Sequence, residues 1–339
     1  MPGRLSWLKE GCPVKAVVTD YTFPELEIEQ GVLAAAGHEL ASSKDRPAPA
    51  QLKALVQDAD AVITQFAPVN AEVIAAMDRA RVIVRYGIGV DNVDLEAAKS
   101  RGIPVCNVPD YCLDEVADHT LAFILSLTRQ VVPHAVALRE GRWGLVGTLD
   151  GLRAMRDQTV GVVGFGRIGR EVVARLKPFK CRILVFDPFV NPEAVEQAGA
   201  KAATLGEISA AADIITLHCP STPQTRGLIN AQTLAACKPG VIIINLARGD
   251  LIDPDALTAA LQLGHVSAAA LDVFNPEPIP SGHPILAMPN VILAPHIASA
   301  SPPAVRKLRH TAAALAAQAL RGELPPNVVN GVTEPRRMG

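Results

Sequence analysis

Aromatic residues are scarce in this 339-residue chain, at 4%, while alanine is abundant. That balance suits helices packed closely on a sheet. A surplus of charge of either sign is also missing: the net charge is −2 and no basic run appears, so nothing favours nucleic acid or an anionic membrane surface. No uninterrupted apolar run approaches the ~18 residues of a membrane span. The first residues, MPGRLSWLKEGCP, lack the apolar stretch of a signal peptide. The six cysteines (Cys12, Cys106, Cys112, Cys181, Cys219, Cys237) are scattered and none forms a C-x-x-C pair, so neither a zinc site nor a thioredoxin-like site is signalled. A reducing, cytoplasmic setting fits best. Low-complexity segments are absent, as is any repeat beyond the alternation described next.

Nearly half the residues are apolar, enough to bury a large core, and the length points to two domains. Apolar strand-like runs alternate with helix-like stretches throughout, which predicts parallel α/β sheets. About five strands are expected before residue 110, including 15–20, 61–66, 82–85 and 103–108. A long helix is expected from about Asp114 to Gln130, with a break near Pro133. Six strands follow, at 159–164, 182–187, 213–218, 241–246, 267–273 and 291–295. The last helix, about 302–320, reads as returning to the first domain.

The second half is organised around TVGVVGFGRIG, Thr159 to Gly169. An apolar run leads into Gly164-Phe165-Gly166-Arg167-Ile168-Gly169, and apolar residues at helical spacing follow. The first glycine permits a tight turn, the second lets a pyrophosphate approach the backbone, and the third lets helix and strand pack closely. The helix N-terminus then faces the phosphates with free N–H groups and about half a positive charge. A lone G-x-G-x-x-G is weak evidence. Here a second strand, RILVF, ends at Asp187, 18 residues past Gly169, close to the ~20 expected of a carboxylate that bonds a ribose 2′-hydroxyl. Its charge and the absence of an arginine in Pro188-Phe189 favour NAD over NADP. The competing reading makes Asp187 a turn residue ahead of Pro188.

Three later strands end in polar residues that would reach the same rim. They lead into Ala247-Arg248-Gly249, into Asn275-Pro276-Glu277-Pro278, and into His296. Ligands of open α/β sheets bind beyond the carboxyl ends of strands. An arginine, a glutamate and a histidine there make a carbonyl-reducing set. His296 can protonate the carbonyl oxygen that hydride attack charges. Glu277 can hold the imidazolium and favour its protonation. Arg248 can fork to a carboxylate and polarise the carbonyl. Taken singly, Arg248 could be a solvated helix start, Glu277 a loop residue and His296 a structural histidine. The combination, one residue after each of three strands, is harder to dismiss.

With GFGRIG, INLARGDLID, ALDVFNPEP and APHIAS in that order, the sequence resembles the D-isomer-specific 2-hydroxyacid dehydrogenase family over roughly residues 60–325. RYGIGVDNVD and CNVPDYCLDEVADHT resemble the branch that contains the C-terminal-binding-protein corepressors and their bacterial dehydrogenase relatives. The resemblance implies two Rossmann-like or flavodoxin-like domains around a substrate cleft. Residues 1–109 plus 298–339 would form the substrate-binding domain, and 110–297 an NAD-binding Rossmann domain with a dimerisation helix. It implies Arg248, Glu277 and His296 as catalytic residues. It places Gly164, Gly166, Arg167, Ile168 and Gly169 at the pyrophosphate, Asp187 at the ribose, and Cys219 and Pro220 beside the adenosine. Leu246, Ala247, Arg248 and Asp272 fall on the nicotinamide side, with His296 and Ser299 on the closing loop. Arg85, Ile88 and Gly89, with Arg248 and His296, would hold the substrate. No metal is implied, and a homodimer is.

Two departures bear on substrate. Phosphoglycerate dehydrogenases of the family carry arginines after the third strand; Thr64-Gln65-Phe66 stands here, without a cation, so a small unphosphorylated 2-keto acid is expected. The corepressors carry a tryptophan three residues after the histidine, where this chain has Ser299. The rivals are a phosphoglycerate-type enzyme, a phosphite-type oxidant and an NAD(H)-sensing scaffold. His119 and His134 read as packed or solvated, Trp143 as a packing anchor, and Asp91 and Asp94 as turn and helix-cap residues.

Overall fold

The computed structural model describes residues 14–334 and 336; Cys12 and the opening segment lie outside them. The chain forms two compact units, the first running to Tyr111 and resuming at Pro302, the second being Cys112–Ser301.

The first unit holds strands β1 (Lys15–Val18), β2 (Glu39–Ser42), β3 (Ala61–Thr64), β4 (Val82–Arg85) and β5 (Val105–Cys106), all parallel, in the order β2-β1-β3-β4-β5. This is a flavodoxin-like order. Helices α1 (Glu27–Ala35), α2 (Pro49–Val56), α3 (Ala71–Ala75) and α4 (Leu95–Ser100) alternate with the strands. Side chains alternate across a strand, so each central strand feeds two cores and reads as an unbroken apolar run. Val18, Ile63 and Val84 pack with Ala312 and Ala316 of the C-terminal helix Pro302–Leu320. Val17, Val62 and Ile83 pack with Leu52, Ile74 and Met77. Asn70 and Asp94 cap α3 and α4 by accepting from Val73 N (3.1 Å) and Ala97 N (2.9 Å), each interaction contributing about 1 kcal/mol. The strand expected over 103–108 is shorter. Pro104 has no N–H to give, and Val105 N donates to Asn330 Oδ1 (3.1 Å).

In the second unit α5 (Leu113–Thr128) and α6 (Val131–Arg139) precede β6 (Thr159–Val163), α7 (Arg167–Leu176), β7 (Arg182–Phe186), β8 (Lys201–Ala202), β9 (Ile214–Leu217), β10 (Val241–Asn245), β11 (Val266–Leu271) and β12 (Val291–Leu293). The sheet is parallel, in the order β12-β11-β10-β9-β6-β7-β8. It has seven strands where six were expected. The extra one, β8, has two residues, too few to show a period. The strand order reverses between β6 and β9, which makes that crevice the switch point where such sheets bind ligands.

The long helix breaks at Gln130, in the left-handed region at φ 49°. Pro133 lies inside the first turn of α6, where its missing N–H is tolerated. The apolar face of α5 (Val116, Leu121, Ile124, Leu127) is buried, with α7 packed against the helix. By contrast α6 and the segment after it expose Val131, Val136, Leu138 and Leu149. Trp143 is not the packing anchor it was expected to be: it is 91% exposed. Gly141 and Gly144, both at positive φ, flank it in an irregular stretch. Among the described residues no single helix is long and apolar enough to cross a membrane.

Candidate active site

The glycine turn lies at the switch point, and two of its three glycines are enforced by contact. Gly164 sits at φ 99°, and a Cβ there would lie 2.6 Å from the carbonyl carbon of His218. On Gly169 a Cβ would meet the Gly164 oxygen at 2.1 Å. Gly166 differs: nothing lies within 4 Å of the space its Cβ would enter, so the approach to the tip of α7 is open. No side chain caps that helix, which leaves its first N–H groups for an anion. The turn therefore fits a pyrophosphate. Arg167 is exposed, Ile168 half-buried, and Arg170 stacks 4.3 Å from the Phe165 ring centroid.

Asp187 is more than a turn residue. Its Oδ2 accepts from Phe165 N at 2.8 Å and its Oδ1 from Phe189 N at 2.9 Å. The carboxylate thus ties the glycine turn to the end of β7, and each oxygen keeps acceptor capacity for a hydroxyl. At the end of β9, burial pushes the His218 imidazole down to about 3 and the Cys219 thiol up to about 11. Both are uncharged at neutral pH. His218 Nε2 lies 2.9 Å from Thr216 Oγ1. Pro220, next in the chain, is exposed.

Strands β10, β11 and β12 are neighbours in register, so the loops after them share one rim. Arg248 follows β10 and is half-buried, its Nη1 donating to the Ala247 oxygen at 2.6 Å. A Cβ on Gly249 would lie 2.0 Å from the Phe274 carbonyl carbon. The loop after β10 therefore rests backbone to backbone on the loop that carries Glu277. Glu277 Oε1 accepts from Phe274 N at 2.8 Å, and Oε2 is 2.8 Å from His296 Nδ1. Burial acts to raise the Glu277 pKa. The hydrogen bond and charge of His296, the Phe274 N–H and the charge of Arg248 outweigh it and hold the carboxyl below its ordinary value. An anionic Glu277 takes the Nδ1 proton of His296 in a hydrogen bond and leaves Nε2 to face a reactant.

His296 has φ 55°, a left-handed conformation that costs a non-glycine residue about 1–3 kcal/mol. The buried Asp272, 1% exposed, offsets that cost. Its backbone oxygen accepts from His296 N (2.8 Å), its Oδ1 from Ile297 N (2.8 Å) and its Oδ2 from Ala298 N (2.9 Å). Burial pushes the Asp272 carboxyl up, against the pull of those N–H groups and of the His296 and His119 charges. Farther along, Ser301 Oγ donates to Glu115 Oε1 at 2.6 Å, so the segment past the half-buried Ser299 is tied down as well. Sequence reasoning missed Asn245, a buried amide at the end of β10 whose side chain bonds the loop carrying Arg248. The one signal for it is a polar residue closing the apolar run Val241 to Ile244.

The remaining expected substrate residues belong to the first unit, at the end of β4 and directly after it. The Arg85 guanidinium folds over Gly87, with Nη1 1.5 Å from where a Cβ would stand. Asn107 Nδ2 donates to the Ile88 oxygen at 2.6 Å, and Gly89 follows, half-buried. After β3, Asp20 accepts from Gln65, Phe66 and Ala67 N–H groups at 2.8–3.2 Å. The Phe66 segment does have a cation beside it: the Arg46 guanidinium lies 5.9 Å from its ring centroid. Arg46 is twenty residues before Phe66 in sequence, and only the fold brings it there. His119 packs edge-on against Phe123 (4.5 Å), and His134 Nε2 accepts from Val146 N (3.1 Å), both bland roles. Among the described residues no group of His, Cys, Asp or Glu could hold a metal ion.

Residues 121–298 match the family model described as D-isomer specific 2-hydroxyacid dehydrogenase, NAD binding domain. The chain is 38% identical over 306 residues to D-3-phosphoglycerate dehydrogenase of Mycobacterium leprae, a match covering 90% of this chain and 57% of that protein. It thus spans about half the length of that relative. Over 282 residues it is 36% identical to glyoxylate reductase of Korarchaeum cryptofilum, covering 81% of this chain and 84% of the relative. D-lactate dehydrogenase of Aquifex aeolicus, solved with NAD and lactic acid, superposes with a TM-score of 0.82 at 27% identity, covering 91% and 96% of the two chains.

Proposed function

This chain belongs to the D-isomer-specific 2-hydroxyacid dehydrogenase family, and on that premise we propose that it reversibly reduces a small unphosphorylated 2-keto acid of the hydroxypyruvate, glyoxylate or pyruvate kind with NADH. The observation that carries the reading is His296 Nδ1 at 2.8 Å from an ionised Glu277, beside Arg248 on the same rim. The second unit binds the cofactor through Gly164–Gly169 and Asp187, with Cys219, Pro220, Leu246, Ala247, Asp272 and Ser299 around the rest of it. The first unit binds substrate, with Ile88 and Gly89 N–H groups and Arg85 on its carboxylate.

The bound nicotinamide supplies or accepts the hydride. Arg248 holds the carboxylate end of the substrate and polarises the carbonyl, so charge developing on the oxygen meets a cation already in place. His296 gives its Nε2 proton to that oxygen in reduction and removes it in oxidation. Glu277 keeps the Nδ1 proton where it is and stabilises the imidazolium between the two roles. A pure NAD(H) sensor has no use for such a proton donor, which argues against the scaffold reading.

A second copy of the chain is the proposed partner. Val131, Val136, Leu138, Trp143 and Leu149 leave large apolar side chains exposed along one stretch, which is what a dimer interface needs. The five described cysteines are free thiols, which suits a reducing cytoplasm.

One specific observation favours a phosphorylated substrate instead: Arg46 beside Phe66 supplies a cation that the loop after β3 lacks by itself. Against it stand the Asp20 carboxylate behind that loop and an Arg46 that is exposed. The deciding experiment is a panel of glyoxylate, pyruvate, hydroxypyruvate and phosphohydroxypyruvate, run with NADH and NADPH in parallel, with phosphite and NAD as a further arm. Higher kcat/KM for the unphosphorylated acids with NADH is expected. Preference for phosphohydroxypyruvate, or turnover of phosphite alone, would refute the reading.

A further inference from the structure

We propose that Asn245 is a positioning residue for Arg248. It closes β10, and its side chain is 1% exposed. The amide makes two bonds to the loop it begins: Oδ1 accepts from Ala247 N at 3.0 Å, and Nδ2 donates to the Arg248 oxygen at 2.7 Å. It reads a donor two residues on and an acceptor three residues on, so it fixes the Leu246–Ala247 and Arg248–Gly249 peptides, which bracket the Ala247–Arg248 pair. No hydrocarbon can do this, and neither can a carboxylate, which has no proton for the Arg248 oxygen.

The backbone of Asn245 extends the arrangement. Its oxygen accepts from Asp272 N at 3.0 Å, and Asp272 is the residue that clamps the His296 loop. Two buried polar side chains at the ends of adjacent strands therefore fold back the two loops that carry Arg248 and His296. Gly249 closes the arrangement from the other side, held against the Phe274 backbone. Arg248 itself stands at φ −146° and ψ 140°, extended backbone without strain. What must be specified is where its Cα points, and the Asn245 amide specifies it.

The inference rests on the proposed role of Arg248 in holding the substrate. The test is Asn245→Asp alone and combined with Arg248→Ala. Aspartate keeps the shape and the bond from Ala247 N but turns an oxygen toward the Arg248 oxygen. Asn245→Ser, neutral and smaller, replaces it should the aspartate chain fail to fold by circular dichroism. Alone, the variant is expected to lower kcat/KM for the best 2-keto acid at least about tenfold, with the dissociation constant for NADH within about threefold of the parent. On the Arg248→Ala background it is expected to add less than about twofold. An equal loss on both backgrounds would mean a general structural effect and would overturn the proposal, as would parental activity of the single variant. Full activity of Arg248→Ala by itself would instead overturn the functional reading beneath it.

Discussion

Replacing Glu277 by glutamine removes one charge at nearly constant shape, and the structure says what should follow. Oε1 is committed to Phe274 N and Oε2 to His296 Nδ1, both at 2.8 Å. Glutamine would keep its oxygen on Phe274 N and turn its amide NH₂ toward Nδ1. That forces the imidazole proton onto Nε2 and leaves Nδ1 as the acceptor, a tautomer that cannot serve as base at Nε2. A charge-assisted hydrogen bond contributes roughly 1.5–3 kcal/mol. The two side chains are 31% and 32% exposed, so solvent screening favours the lower end. A loss of about 1.4 kcal/mol in stabilising the imidazolium corresponds to about tenfold in rate. Reduction of the best keto acid should fall about tenfold or more near neutrality, and the deficit should deepen as pH rises, because reduction draws on a protonated His296. Steady-state NADH oxidation between about pH 5 and 8, with NADH binding measured in parallel, tests this. A variant with the parental rate and profile would refute the assignment of Glu277.

Gly249→Ala should cost about 1–3 kcal/mol of stability by overpacking and most of the activity, since its Cβ would stand 2.0 Å from the Phe274 backbone. Gly206→Ala is the matched control: nothing lies within 4 Å of its Cβ, it sits in the helix Leu205–Ala211, and it should gain about 0.5–1 kcal/mol; equal effects on unfolding midpoints would contradict both. His218 carries an acid liability. With its pKa moved from 6.5 to about 3 by burial, the folded protein refuses a proton that the unfolded chain takes. The contribution is complete above pH 6.5 and declines as pH falls from there toward about 3. Between pH 6.5 and about 4.5 this amounts to about 1–3 kcal/mol, and urea unfolding of the parent should lose that much more than His218→Gln does. Identical slopes in the two would dismiss the burial argument.

The alternation of strands and helices, the glycine turn and the three strand-end residues were all legible, because each is a local pattern: a period, a spacing or a residue type after an apolar run. What escaped notice depends on contacts between segments distant in sequence. Nothing in Lys201-Ala202 marks a strand; Ala203 N bonding Val185 O at 2.8 Å does. Arg309 and Glu29 are 280 positions apart and bond within a core where Tyr86 also donates to Glu29. Arg46 reaches Phe66 in the same way. Trp143 was misjudged because a large aromatic residue is usually buried, and this one is flanked by turns that keep it out. In sequence Asn245 resembles one more strand residue; only its amide bonds to the loop beyond set it apart.

His296 moves the proton. His296→Ala should lower keto-acid reduction about a hundredfold or more while NADH binds with nearly parental affinity, because Gly166 and Asp187 are untouched. Single-turnover oxidation of bound NADH by glyoxylate in the parent and in this variant measures it directly. A rate in the variant equal to the parent's would contradict the account.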